Sequence, residues 1–172
     1  MKEISLNILD ITENSTKAKA TLTKILLDET EDILTLRIED NGTGMTREIL
    51  EGVENPFTTT RTTRKVGLGI PFLKLQAEMT GGSFEISSRH IDEFPESHGT
   101  EVKAVFNKNH IDFTPLGDIV ATIITLIQGH PDTDFLYLHN VKGKEVGVDT
   151  RDLRAQLGDI PLNEYEVIQW VS

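Results

Sequence analysis

The sequence predicts an α/β fold in two layers, a mixed and largely antiparallel sheet with helices laid on one face. Three observations predict it. Strand-like runs come in pairs joined by polar connections, residues 21–27 with 33–39, 83–88 with 100–106, and 135–139 with 145–148. Segments with a helical apolar rhythm alternate with these pairs. A chain of 172 residues is long enough to bury one proper core.

The elements follow in order. Residues 3–19 carry Ile4, Leu6, Ile8, Leu9 and Ile11 at helical spacing. The strands at 21–27 and 33–39 flank the turn DETED. In the second, Leu34, Leu36 and Ile38 alternate with Thr35, Arg37 and Glu39, the pattern of a half-buried strand. Residues 46–52 predict a short helix capped by Thr46, with Glu48 and Glu51 near its start. NPFTTTRTTRKVGLGIP has no apolar periodicity and reads as a long loop, of the kind that inside compact domains is usually functional or mobile. Residues 70–79 predict a helix that stops at Gly81-Gly82. The strands at 83–88 and 100–106 are joined by RHIDEFPESHG.

A second region begins near residue 110. Residues 116–128 predict a helix apolar on most sides and therefore buried. A hairpin turns around Lys142-Gly143-Lys144, and short helices are expected at 150–157 and 163–171. The division expected is a core over 1–109 and an extension over 110–172 packed on it, covering a sheet edge left bare by the short N-terminus. There is no internal repeat and no low-complexity segment.

Composition narrows the function. Cysteine is absent, which excludes thiol catalysis, cysteine-ligated metals and disulfides. A net charge of -11 argues against general nucleic-acid binding and against an anionic membrane surface. No stretch has the length to span a bilayer, and the N-terminus lacks a signal-peptide core, so a cytoplasmic protein is expected. Within this acidic chain Arg61, Arg64 and Lys65 form a local basic patch.

Four pieces carry candidate chemistry. On the first helix Asp10, Asn14 and Lys17 stand at i, i+4 and i+7, so they share a face. A carboxylate, a carboxamide and an ammonium on one stripe can activate a water, hold a hydrated cation and meet a phosphate. Alone, the same stripe is also what a solvated helix face looks like. The second piece is Asp40-Asn41-Gly42-Thr43-Gly44 at a strand end, in isolation an ordinary turn cluster. Its carboxylate can accept from an exocyclic amine, and its glycines let a flat ring approach the backbone. The third is Lys65-Val66-Gly67-Leu68-Gly69, a glycine turn running into a helix N-terminus, where backbone amides favour phosphate oxygens. The fourth is HGTEVKAVF, a Gly-Thr opening a strand.

In this order and spacing the four pieces resemble the GHKL superfamily, the Bergerat-type nucleotide-binding fold of histidine kinases, gyrase, mismatch-repair ATPases and the large heat-shock chaperone. The resemblance covers about residues 3–107 and includes an asparagine box, a DxGxG box (DNGTG), a lid preceded by phenylalanine (NPFTTTR) and a GLG box (VGLGI). It implies ATP as ligand, with Asp40 on the adenine amino group and Gly42, Gly44 and Met45 shaping the adenine wall. It implies magnesium on Asn14, bridging to the phosphates. Gly67, Leu68 and Gly69 would cradle those phosphates, with Arg61, Arg64 and Lys65 in the lid, and Thr100 would support the adenine pocket.

Two departures bear on catalysis. The hydrolysing branches usually place Glu four residues before the box asparagine; here stands the shorter Asp10. Histidine kinases often carry Lys three residues after that asparagine, and Lys17 fits them. Asp10 and Lys17 are thus the candidate catalytic residues. A base one methylene short must move in by about an ångström, a displacement worth about 100-fold in rate, so slow catalysis is expected. No phospho-accepting helical hairpin precedes the box helix, and His90, His98, His110, His130 and His139 fall in loops or strand edges as ordinary histidines. The expectation is a free-standing, kinase-like regulator acting on a partner protein. The alternatives are a slow ATPase switch that forms a homodimer on nucleotide binding, and a non-catalytic nucleotide-binding module.

Overall fold

The computed structural model describes residues 3–53 and 69–157. Within them helix α1 spans Ile4–Lys17, strand β1 Leu22–Glu29, β2 Ile33–Asp40, α2 Arg47–Val53 and α3 Gly69–Met79. Then follow β3 Ser83–Arg89, β4 Gly99–Asn107, α4 Ile119–Gly129, β5 Asp134–Val141, β6 Lys144–Asp149 and α5 Thr150–Leu157. The strands make one open six-stranded sheet in the order β3-β4-β2-β1-β5-β6. Every pairing among them is antiparallel except β1 with β5. This is the mixed, largely antiparallel two-layer sheet that the sequence predicts. The loop at 54–68 and the helix expected at 163–171 lie outside the described residues.

One face of the sheet is apolar because the strands alternate. Ile25 and Leu27 of β1, Leu34, Leu36 and Ile38 of β2, and Val102, Ala104 and Phe106 of β4 are buried in one cluster. Ile4, Ile8 and Ile11 of α1, Leu73 and Ala77 of α3, and Ile123, Leu126 and Ile127 of α4 close it from the other side. The glycine stop of α3 is a Schellman turn: the Gly82 amide reaches the Ala77 carbonyl and the Gly81 amide that of Glu78, with Gly81 at φ +80°. At the other hairpin, Lys142 (φ +51°) and Gly143 (φ +89°) both take the left-handed conformation that a two-residue turn requires.

Helix α4 differs from its sequence expectation in two respects. It begins at Ile119, because Gly117 takes φ +79° and the Asp118 carboxylate caps the helix by accepting the Ala121 amide at 3.0 Å. It also buries only a stripe, Ile119, Thr122, Ile123, Leu126 and Ile127, while Val120 remains 46% exposed. A helix in the outer layer of a two-layer fold has one side facing solvent, whatever its composition.

The C-terminal elements extend the sheet. The carbonyls of Pro115 and Leu116 accept the amides of Ile4 and Ser5 at 2.9 and 2.8 Å, satisfying donors that the first turn of α1 leaves open. Strand β5 lies parallel to β1 along its whole length and buries Phe135 and Tyr137. Beyond them His139 bonds to Glu29, and Glu29 meets Lys108 at 3.2 Å. Burial alone would raise the Glu29 carboxyl, but His139 and Lys108 hold it below the usual carboxylate range. Burial also pushes the Tyr137 hydroxyl, which pairs with His139, up to about 12.

Phe135 is fully buried in the same cluster as α1 and β1. Phe135→Ala is expected to destabilise the whole chain by about 3–5 kcal/mol, read as a lower urea midpoint. An unchanged midpoint would show that β5 adds nothing to the common core.

Candidate functional site

The site forms where β2 ends. Asp40 is the last residue of the strand and pairs across the sheet with Thr100, the second residue of β4. Its two carboxylate oxygens have separate partners. Oδ2 accepts the Ser15 hydroxyl of α1 at 2.8 Å, and Oδ1 accepts the Gly42 amide at 2.8 Å. Burial raises the Asp40 carboxyl above the usual range; the bonds from Gly42, Ser15 and Thr100 and the charge of His98 pull the other way without cancelling it.

The loop after Asp40 is pinned at nearly every residue. The Asn41 side chain accepts the Thr21 and Leu22 amides and donates to the Thr21 hydroxyl. Thr43 donates its amide to Ala18 and accepts from Ile91, each at 2.8 Å. The Met45 amide reaches Ser88 Oγ at 2.7 Å. Gly44 sits at φ +76°, and a Cβ there would lie 2.0 Å from the Arg89 carbonyl oxygen, so both backbone conformation and space demand glycine.

Between α1, α3 and this loop lies a narrow cavity of about 60 Å³. Ile11, Ile38, Met45, Ile70 and Val102 give it apolar walls; Asp40, Asn14 and Thr100 stand at its polar edge. That is the arrangement suited to a flat heteroaromatic ring carrying an amine. A larger depression of about 390 Å³ on the helix-free face of the sheet shares Asp40 and Thr100. Its surroundings are charged, with Lys24, Glu39, Arg89 and Glu101, and offer no comparable apolar wall.

The other sequence candidates are placed as follows. Asp10 faces α3, and its Oδ2 accepts the amide of Gly69, the first residue of that helix, at 2.7 Å. A Cβ on Gly69 would lie 2.8 Å from the same oxygen, so α1 and α3 meet here in close contact. Asn14 lines the cavity beside Asp40. Lys17 is exposed in the last turn of α1, where a cation suits the helix dipole, and is not among the residues lining the cavity. Gly42, Gly44 and Met45 form the loop, and the Thr100 hydroxyl bonds to Ser88 at 2.7 Å. Arg61, Arg64, Lys65, Gly67 and Leu68 lie outside the described residues. Among the described residues no three His, Asp or Glu side chains come together as a metal cluster.

Sequence reading missed three contributors. Ser15 follows Asn14 directly and is buried; its signal was its place on the inward stripe one turn after Ile11. Ser88 joins Met45 to Thr100, and only the β3–β4 register brings it there. His98 bonds through Nδ1 to the Gly42 carbonyl, a contact that no local pattern announces.

Because Asp40 holds its proton more readily folded than unfolded, its contribution to stability is full below its unfolded pKa and is lost as pH rises through the folded one. Asp40→Asn keeps the shape and removes the charge. In thermal melts without ligand the variant should be at least as stable as the wild type at pH 7, and the advantage should vanish as pH falls into the ordinary carboxylate range. A variant markedly less stable at pH 7 would mean that hydrogen bonding to the charged form outweighs burial.

No curated protein sequence matches this chain. Among solved structures it is similar to the Aquifex aeolicus MutL ATPase domain complexed with ADP, with a TM-score of 0.56 at 16% identity over 87% of this chain. The chain spans 63% of that chain's length, and a likeness at this identity concerns the fold. No described helix is long and apolar enough to cross a membrane. The sequence pattern of the histidine kinase-, DNA gyrase B-, and HSP90-like ATPases matches residues 1–110. With Asp40, its glycine loop and the cavity wall in the places described, the chain belongs to that family and carries its ATP-binding domain.

Proposed function

We propose that this protein binds ATP with magnesium in the cavity beside Asp40 and acts as a cytoplasmic regulator that phosphorylates, or conformationally controls, a partner protein. The observation that carries the reading is the Asp40 carboxylate at the edge of an apolar slot, held by Ser15 and Gly42 yet with acceptor capacity left on both oxygens. An exocyclic amine can use that capacity, whereas the carbonyl that guanine presents at the corresponding position cannot. Asn14 would help to hold magnesium, an ion that would take its remaining ligands from phosphate and water. Bound there, the ion would supply charge neutralisation on the phosphates. Residues 1–109 would be the nucleotide-binding core and 110–172 an extension packed on it.

One observation favours a second reading, a slow ATPase switch or a module that only binds. Asp10 spends one oxygen on the Gly69 amide, the first donor of α3, and so organises that helix end without lining the cavity.

Calorimetry tests the main reading. Asp40→Asn is expected to weaken ATP by about 10- to 100-fold, the loss of one charge-assisted hydrogen bond, and the wild type should bind GTP poorly. Equal affinity for the two nucleotides would defeat it. Asn14→Ala should remove the magnesium dependence of binding with the helix intact, alanine being the better helix former.

Asp10 separates catalysis from binding. Turnover in the wild type should lie below roughly 1 per second. Asp10→Asn should abolish it with ATP still bound. Asp10→Glu, which restores the missing methylene, should raise hydrolysis if the base under-reaches. If neither substitution moves any rate, binding without catalysis is what remains.

A further inference from the structure

We infer that His98 is a positioning residue for the nucleotide loop: its ring N–H, donated to the Gly42 carbonyl, holds that loop in the shape that aims Asp40 at the cavity. The inference rests on the nucleotide reading above and adds a residue from outside the Asp40 motif.

The argument starts from Gly42. A glycine has wide backbone freedom, so something outside it must set its conformation. Thr43 is held on both sides by backbone partners, and Asn41 by its own side chain. Gly42 instead meets two side chains, Asp40 Oδ1 at its amide and His98 Nδ1 at its carbonyl. A substituent cannot replace this restraint, since a Cβ on Gly42 would lie 2.9 Å from the Ala18 carbonyl oxygen. The same carboxylate that Gly42 steadies is the one proposed to read the ligand's amine. A shift of the Gly42 peptide therefore moves the recognition group itself.

The chemistry of the contact fixes its direction. A backbone carbonyl only accepts, so His98 carries its hydrogen on Nδ1. Its reach follows from the neighbouring backbone. Gly99, at φ +145°, lies so close that a Cβ there would be 2.1 Å from the Asp40 carbonyl oxygen. The start of β4 thus rests on the end of β2, and the side chain one residue earlier falls at Gly42. Ile91, from the other end of the same β3–β4 connection, donates its amide to the Thr43 carbonyl at 2.8 Å. That connection therefore grips the loop at two successive carbonyls, one through backbone and one through His98.

The test uses the full chain, ATP with magnesium, and His98→Leu beside His98→Asn. Asparagine places an N–H donor the same number of bonds from Cα as Nδ1. Leu is expected to lower ATP affinity about 10-fold, the worth of one hydrogen bond at the site, and Asn to stay within about 3-fold of wild type. Amide hydrogen exchange should speed up at Gly42–Gly44 in the Leu variant while Ile38, in the core of β2, keeps its protection. Wild-type affinity in His98→Leu, or equal losses in Leu and Asn, would overturn the inference and leave nucleotide binding standing. Failure of the wild type to bind ATP would instead bring down the reading beneath it. Should the Leu variant not fold, His98→Gln, whose donor sits one bond further out, takes its place and is expected to show the same loss.

Discussion

The hydrogen bond from Ser15 to Asp40 is the constraint on which the rest of the site depends. It joins the last turn of α1 to the last residue of β2 at 2.8 Å, and so ties the helix layer to the sheet beside the cavity. Everything nearby takes its position from that joint. Asn14, one residue earlier on the helix, lines the cavity because Ser15 points into the sheet. Gly42 lies on the carboxylate's other oxygen, and the loop from Asn41 to Met45 turns around it. Thr100, across the ladder from Asp40, completes the edge.

Such a joint carries a cost. A carboxylate taken out of water is an expensive way to bind a helix to a strand. Neutral groups of the same shape would hold the layers with less penalty. What the charge adds is acceptor strength toward any further donor. The raised proton affinity of Asp40 is the trace of that burial, which its bonds to Gly42, Ser15 and Thr100 do not cancel.

How much of this was legible depended on how local each signal was. The glycines of Asp40–Gly44 could be read because positive φ and close approach leave a residue-type signature: Gly44 stands at φ +76°, and a Cβ there would lie 2.0 Å from the Arg89 carbonyl oxygen. The paired strands could be read because alternation survives in sequence, as in Leu34, Leu36 and Ile38. The start of α4 was missed by three residues. Its apolar run begins before the cap, and Asp118 gives little warning beside a glycine at positive φ. Ser88 and His98 were out of reach for another reason. They act through partners 43 and 56 residues away in sequence, in a sheet whose register only tertiary packing sets.

The C-terminal elements fit the same logic of support. The site lies at the end of the sheet where β1 begins and β2 finishes, so any slip of α1 along the sheet would separate Ser15 from Asp40. The N-terminus of α1 is tied by the Pro115 and Leu116 carbonyls, far from the site. Its C-terminal half is tied by Glu13, which meets His130 just past α4 at 2.8 Å. Strand β5 then runs parallel to β1 and carries the chain back along the sheet. Helix α4, packed beside α1 with Thr122 reaching the Ser5 carbonyl at 3.4 Å, completes a brace on both ends of the helix that carries Asp10, Asn14 and Ser15. A helix held at both ends keeps Asp10 on the Gly69 amide, Ser15 on Asp40 and Asn14 at the cavity edge, and residues 110–157 supply that hold without lining the cavity themselves.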